Sequence, residues 1–176
     1  MLQGLILDPA TKQAALELSE RTLAKYSNVR GHYSNTKSSH LVGHLGEFAA
    51  FIWLRDNGFE PVPRFLDPDD KECDIHTRIG RIEVKTWRDR FWDDLGRCVS
   101  VTQYPSIKRR ADFIFWNSIA DPDAETPQVT FRGWCKVSQF DKAKEVIHTT
   151  GFPQREIRNL QLPQSKLLPV EKLHTL

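Results

Sequence analysis

Asp74, Glu83 and Lys85 stand close together in the segment ECDIHTRIGRIEVKTW, residues 72–87. Residues 72–78 and 81–87 alternate polar and apolar around Ile79-Gly80, a pattern that predicts a β-hairpin. With Ile79-Gly80 as the turn, Arg78 faces Arg81, His76 faces Glu83 and Asp74 faces Lys85. Side chains alternate along a strand, so these six share one face, while Ile75, Thr77, Ile82 and Val84 form an opposite face fit to pack on a helix. Asp74 and Glu83 are then diagonal neighbours, roughly 7–8 Å apart at the backbone. Two carboxylates so placed converge on one hard cation such as Mg2+. A cation there lowers the pKa of its water and neutralises a phosphate, and Lys85 adds positive charge for the transition state. The plainer alternative is a solvated face with an Asp74–Lys85 ion pair worth about 0–1 kcal/mol. Lys85→Ala is expected to slow catalysis with little effect on stability.

A third carboxylate lies upstream. In HLVGHLGEFAAF, Glu47 follows Gly46 inside an otherwise apolar helix, and His40, His44, Glu47, Phe51 and Leu54 share a face by their three- and four-residue spacings. An inward carboxylate requires a partner, and a metal or Lys85 would supply one. Facing water, Glu47 would instead pair with Lys37 or Arg55.

The elements that must position these groups follow from periodicity and caps. A helix is expected from Pro9 to about Ser27, a loop over Val29–Lys37, and a second helix from Ser38 or Ser39 to about Asn57 with Leu41, Leu45, Phe48 and Ile52 as its stripe. Phe59–Leu66 reads as an edge strand because of Pro61 and Pro63. After the hairpin come a strand at Val99–Thr102, a helix at Gln103–Arg110, strands at Asp112–Ile119 and Val129–Val137, and a helix from Ser138 to about His148. The tail from Gly151, with Pro153, Pro163 and Pro169, is expected to wrap the surface irregularly. This order predicts an α/β fold with a central mixed β-sheet flanked by helices, in a single domain spanning 1–176 with its core at about 38–148.

Composition sets the limits. Of 176 residues, 39% are hydrophobic and 27% charged, which suits one domain with a real core. No apolar run is long enough to span a membrane, and the N-terminus does not read as a signal peptide. Cys73, Cys98 and Cys135 are odd in number and without paired spacing, as in a reducing cytoplasmic interior. Net charge is only +2, yet 21–46 and 95–111 carry no acid and flank an acidic stretch from Asp56 to Asp74. That distribution suits a protein that grips a polyanion while holding a cation, and equally an ordinary mixed surface. Lys108, Arg109 and Arg110 are candidate phosphate contacts, or a solvated helix end with a favourable dipole. Trp87, Phe91 and Trp92, interleaved with Arg88 and Arg90, form either a base-stacking surface or a minor core. Trp116 and Trp134 are expected in the core.

Glu47 in GHLGEFAA, Asp74 in ECDIHT and Glu83-Val84-Lys85 in RIEVKTW together resemble the PD-(D/E)XK nuclease superfamily, with its restriction-endonuclease-like fold. The order matches: helix acid, strand acid, acid-x-lysine strand, then a short strand, a helix and the strand ADFIFW. The resemblance covers roughly Ser38 to Phe140 and implies an extra N-terminal helix outside the core. It implies metal-ligand roles for Asp74, Glu83 and the Val84 carbonyl, the family's lysine role for Lys85, its helix-acid role for Glu47, and a weaker supporting role for Gln103. The literal Pro68-Asp69 is an alternative to Asp74; Asp74 is preferred because alternation places it opposite Lys85, whereas Asp69 lies in a polar loop. The activity implied is a Mg2+-dependent endonuclease acting on DNA, with Mn2+ able to substitute and Lys37, Arg88, Arg90, Lys108, Arg109 and Arg110 on the nucleic acid. A homodimer is expected if both strands of a duplex are cut. The competing readings are a non-catalytic nucleic-acid-binding module on the same fold and an RNA-processing nuclease.

Overall fold

Helix formation near the N-terminus follows from local caps. Asp8 Oδ1 accepts the Thr11 amide at 2.6 Å, and helix α1 runs from Pro9 to Tyr26. Helix α2 (Lys37–Asp56) starts at a reciprocal cap, in which Thr36 Oγ1 accepts the Ser39 amide at 3.2 Å and Ser39 Oγ accepts the Thr36 amide at 3.1 Å. The computed structural model describes residues 3–26, 36–150 and 155–176; the loop expected at Val29–Lys37 lies largely outside the described residues, as does the start of the tail at Gly151 and Pro153.

Among the described residues, nine strands form two sheets. The larger has the order β1 (Gly4–Ile6), β7 (Gln128–Lys136), β6 (Phe113–Ile119), β4 (Gly80–Arg88), β3 (Ile75–Thr77), β2 (Val62–Pro63). Its β4–β6 pair is parallel and the other pairs are antiparallel, so the sheet is mixed, as expected. The crossover from β4 to β6 carries α3 (Trp92–Leu95), β5 (Cys98–Ser100) and α4 (Tyr104–Arg110). The smaller sheet is antiparallel, in the order β5, β9 (Arg155–Gln161), β8 (Lys144–Thr150). β2 sits at a sheet edge, where Pro63 costs no ladder bond that matters.

Two cores lie on the two faces of the larger sheet. On one, Leu41, Leu45, Ala49, Trp53 and Leu54 of α2 pack with Ala15 and Leu18 of α1 against Ile75, Ile82, Val84, Phe113, Phe115 and Phe131. The buried centre of the α2 stripe thus includes Ala49 and Trp53, with Phe48 and Ile52 on its margin. On the other face, Ile114, Trp116 and Cys135 pack with Ile107, Val99, Val137, Phe140 and Leu162. All three cysteines are buried and unpaired, as a reducing setting would leave them. Among the described residues no helix is long and apolar enough to cross a membrane.

Helix α2 approaches strand β4 through Gly46. A Cβ there would lie 1.7 Å from Thr86 Oγ1, and the Gly46 carbonyl accepts the Asn117 amide at 3.1 Å. Thr86 is β-branched and cannot swing aside within the sheet. Gly46→Ala is therefore expected to destabilise by about 1–3 kcal/mol, read as a lower denaturation midpoint at unchanged slope; an unchanged midpoint would refute the close approach. A second glycine shapes β7. Gly133 (φ +123°) opens a bulge that leaves Arg132 without a register partner on β6, and a Cβ at Gly133 would meet the Leu168 carbonyl at 2.6 Å.

Two expectations are overturned. Ser138–His148 is not a helix: Val137–Lys142 forms 3-10 turns and β8 follows. The β-branched Val146, Ile147 and Thr149 suit a strand, and pairing with β9 outweighs the helix signal at Ser138. Nor is the tail irregular. β9 is the central strand of the smaller sheet, while Val170 and Leu173, in a terminal 3-10 segment, enter the helical core.

Candidate active site

The hairpin turns at Arg78-Ile79, one residue earlier than expected. Thr77 pairs with Gly80, and Thr77 Oγ1 donates to the Gly80 carbonyl at 2.8 Å. His76 therefore lies opposite Arg81, not Glu83, and Ile75 opposite Ile82. Continued by one residue, that register sets Asp74 across from Glu83, not from Lys85. Moving the turn by one residue slides the register by two, so each side chain keeps its face. His76 pairs instead with Glu72, at 2.9 Å.

Asp74 is held by the strand it faces. Its amide donates to the Ile82 carbonyl at 3.0 Å, and its Oδ2 accepts the Val84 amide at 2.7 Å. Burial pushes its carboxyl well above the usual carboxylate range, and the negative charges of Glu83 and Glu47 push it the same way, against Lys85 and the Val84 amide.

Glu83 is only 1% exposed and is fully engaged by two cations. Lys85 Nζ donates to Oε1 at 2.6 Å, Arg110 Nη2 donates to Oε1 at 2.6 Å, and Arg110 Nε donates to Oε2 at 3.0 Å. Burial alone would raise its pKa; Lys85 and Arg110 reverse that and hold it ionised. Burial likewise opposes the charge on Lys85, but Glu83 and Asp74 win and keep its pKa up. The expectation that Lys85 matters little to stability is thereby corrected, because the lysine neutralises a buried carboxylate.

Glu47 reaches the same neighbourhood from α2, close enough for its charge to act on Asp74. Its Oε2 lies 2.7 Å from His44 Nδ1, and His44 Nε2 lies 3.0 Å from Thr22 Oγ1 of α1. The helix acid is thus paired with His44, rather than with Lys37, Arg55 or Lys85. The three-residue spacing from His44 to Glu47 carried that signal; the link to Thr22 has none in sequence.

The remaining candidates spread out. Arg110 is in the cluster, on Glu83. Lys108 pairs with Asp141, and Arg109 is exposed on the same helix. Lys37 pairs with Glu20, Arg88 donates to Ser38 Oγ, and Arg90 lies over its neighbour Phe91. Gln103 is exposed at the start of α4. Trp92 is buried edge-on to Trp116, and Trp87 packs on that same core, so the minor-core reading holds for both. Asp69 is exposed in the loop before the hairpin and pairs with Lys25.

No family model, curated protein or solved structure matches the chain. Among the described residues no group of three or more His, Cys, Asp or Glu side chains is arranged to hold a metal ion. The donors present are nevertheless hard oxygens: Asp74 Oδ1, the carboxylate of Glu83 and the Val84 carbonyl. Three carboxylates (Glu47, Asp74, Glu83) face two cations (Lys85, Arg110), besides the His44 partner of Glu47. Oxygens of this kind are what a hard divalent cation takes, on the condition that Glu83 gives up one of its present partners.

Proposed function

We infer that the protein is a divalent-metal-dependent nuclease that hydrolyses phosphodiester bonds of DNA, on a restriction-endonuclease-like core of the PD-(D/E)XK type. The observation that carries this reading is the juxtaposition of Asp74, Glu83 and Lys85 on one hairpin face, with Glu47 near enough to repel Asp74. Asp74, Glu83 and the Val84 carbonyl would hold Mg2+, which supplies water activation and charge neutralisation at the phosphate. Lys85, kept protonated by Glu83, presents an ammonium to charge developing on the phosphoryl oxygens. Glu47, oriented by His44, accepts a hydrogen bond from the attacking water. Lys108 and Arg109 on α4 extend positive charge along a strand leading away from Arg110. Cleavage of both strands of a duplex calls for a dimer with twofold-related sites, in a cytoplasmic, reducing setting.

A second reading draws on the saturation of Glu83 by Lys85 and Arg110. The cluster would then be a buried ion-pair network in a non-catalytic nucleic-acid-binding module on the same fold. A cleavage assay separates the two, using linear duplex, single-stranded and branched DNA, and RNA, with Mg2+, Mn2+ or EDTA. The nuclease reading expects metal-dependent cleavage that EDTA abolishes and that Asp69→Asn leaves unchanged. Full activity in EDTA would refute the mechanism; binding without cleavage under every condition would favour the module. Preferential cleavage of RNA would keep the site and change the substrate.

A further inference from the structure

We propose that Arg110 is an exchangeable cation: it neutralises Glu83 while the metal is absent, and passes to a substrate phosphate when a divalent cation takes that carboxylate. The inference rests on the nuclease reading and adds a coupling between metal and polyanion to it. Its basis is the arrangement around Glu83. The carboxylate is 1% exposed, and both its oxygens are engaged, Oε2 by Arg110 Nε at 3.0 Å and Oε1 by Arg110 Nη2 and Lys85 Nζ at 2.6 Å each. The Arg110 side chain is 31% exposed, so it reaches from the buried Glu83 carboxylate to solvent. Lys85, 26% exposed, comes from the same strand two residues away. Arg110 comes from the last turn of α4, beside the exposed Lys108 and Arg109, and a modest change of its rotamers turns it from Glu83 toward a ligand on that surface.

The exchange keeps charge balanced. A cation on Asp74 and Glu83 removes the reason for Arg110 to stay, and a phosphate beside α4 supplies a new bidentate partner. Metal then favours polyanion, and by linkage polyanion favours metal by the same factor, expected at about 5–150-fold. Without the exchange, Arg110 is a fixed member of an ion-pair network and the two ligands bind independently apart from general screening.

Titration calorimetry with Mn2+, and anisotropy of a labelled short duplex DNA with and without Ca2+, read the coupling without turnover. Arg110→Gln removes the charge and leaves a shorter, neutral polar side chain. It is expected to bind Mn2+ several-fold more tightly, to bind DNA more weakly in Ca2+, and to lose the mutual enhancement seen in the wild type. Equal or weaker Mn2+ binding, or full retention of the enhancement, would overturn the proposal. Should that variant fold poorly, the Arg110 Nε–H resonance of the wild-type protein, assigned by its loss in Arg110→Lys, gives the same answer. It should move on Mg2+ saturation and move again on adding DNA, and a resonance indifferent to both would refute the exchange. Cleavage with a static Arg110 keeps the nuclease and discards the exchange. Metal-driven movement of Arg110 with no cleavage of any nucleic acid supports the exchange and discards the nuclease.

Discussion

Asp74→Asn should leave the metal-free protein more stable than the wild type at neutral pH while removing its ability to cleave DNA. Asp74 carries a pKa raised above its ordinary 3.8 by burial, Glu83 and Glu47. A carboxyl whose folded pKa is raised holds its proton more tightly in the native state than in the unfolded one. Its favourable contribution is complete below pH 3.8 and is lost as pH rises from there through the folded value. Ionisation of Asp74 is therefore a change that the fold resists. Asparagine removes it, and its side-chain oxygen still accepts the Val84 amide. The gain should appear in EDTA as pH rises above about 4 and vanish below that pH. Excess Mg2+ should reverse the order, since saturation at a hundred times Kd stabilises the wild type by about 2.7 kcal/mol and the variant has lost a ligand. Denaturant titrations between acid and neutral pH, with EDTA and with Mg2+, check each step. A variant less stable than wild type in EDTA at neutral pH would refute the electrostatic account; one that cleaves normally would refute the metal-ligand role.

Lys85→Ala should lower the cleavage rate by about 10²–10³-fold, the usual cost of one preorganised electrostatic contact to a transition state. It should also destabilise. Full unpairing of a buried ion pair costs about 3–5 kcal/mol. Arg110 keeps its two bonds to Glu83, so the expected loss is smaller, about 1–3 kcal/mol. Glu83→Gln should relieve part of that stability loss without restoring any rate, because the stranded charge is gone while the ammonium is still missing. A double-mutant cycle on stability measures the pairing, and single-turnover rates measure the chemistry. Normal cleavage by Lys85→Ala would sink the catalytic role and leave a structural ion pair.

The periodicity of residues 72–87 was sufficient to group Asp74, Glu83 and Lys85, even though it misplaced the turn. A strand repeats every two residues, so a two-residue slip preserves the face and changes only which neighbour lies opposite. Thr77 decides the turn by bonding the Gly80 carbonyl, a local contact that hydropathy does not register. Arg110 is a different case. The run Lys108-Arg109-Arg110 announced a basic helix end, but which of the three meets Glu83 depends on α4 crossing beside the parallel β4–β6 pair. That is tertiary information, carried across 27 positions. β1 went unread because three residues, Gly4–Ile6, are too few for an alternation to show. β9 went unread because the prolines around it mask a strand whose partners lie in β5 and β8.

β1 pairs with β7, matching Leu5 to Val129, and Val170 and Leu173 complete the core under α2. Such pairings join stretches far apart along the chain, and closing them costs entropy before any contact rewards it. On a ribosome adding about 5–20 residues per second, the hairpin of β3 and β4 has emerged and closed, within about 1–10 μs, long before β7 exists. Asp74 and Glu83 are therefore able to meet before the sheet behind them is complete. Repulsion between the two carboxylates opposes the nascent hairpin, and Lys85, carried on the hairpin itself, is the cation of the cluster that can offset it before α4 has docked.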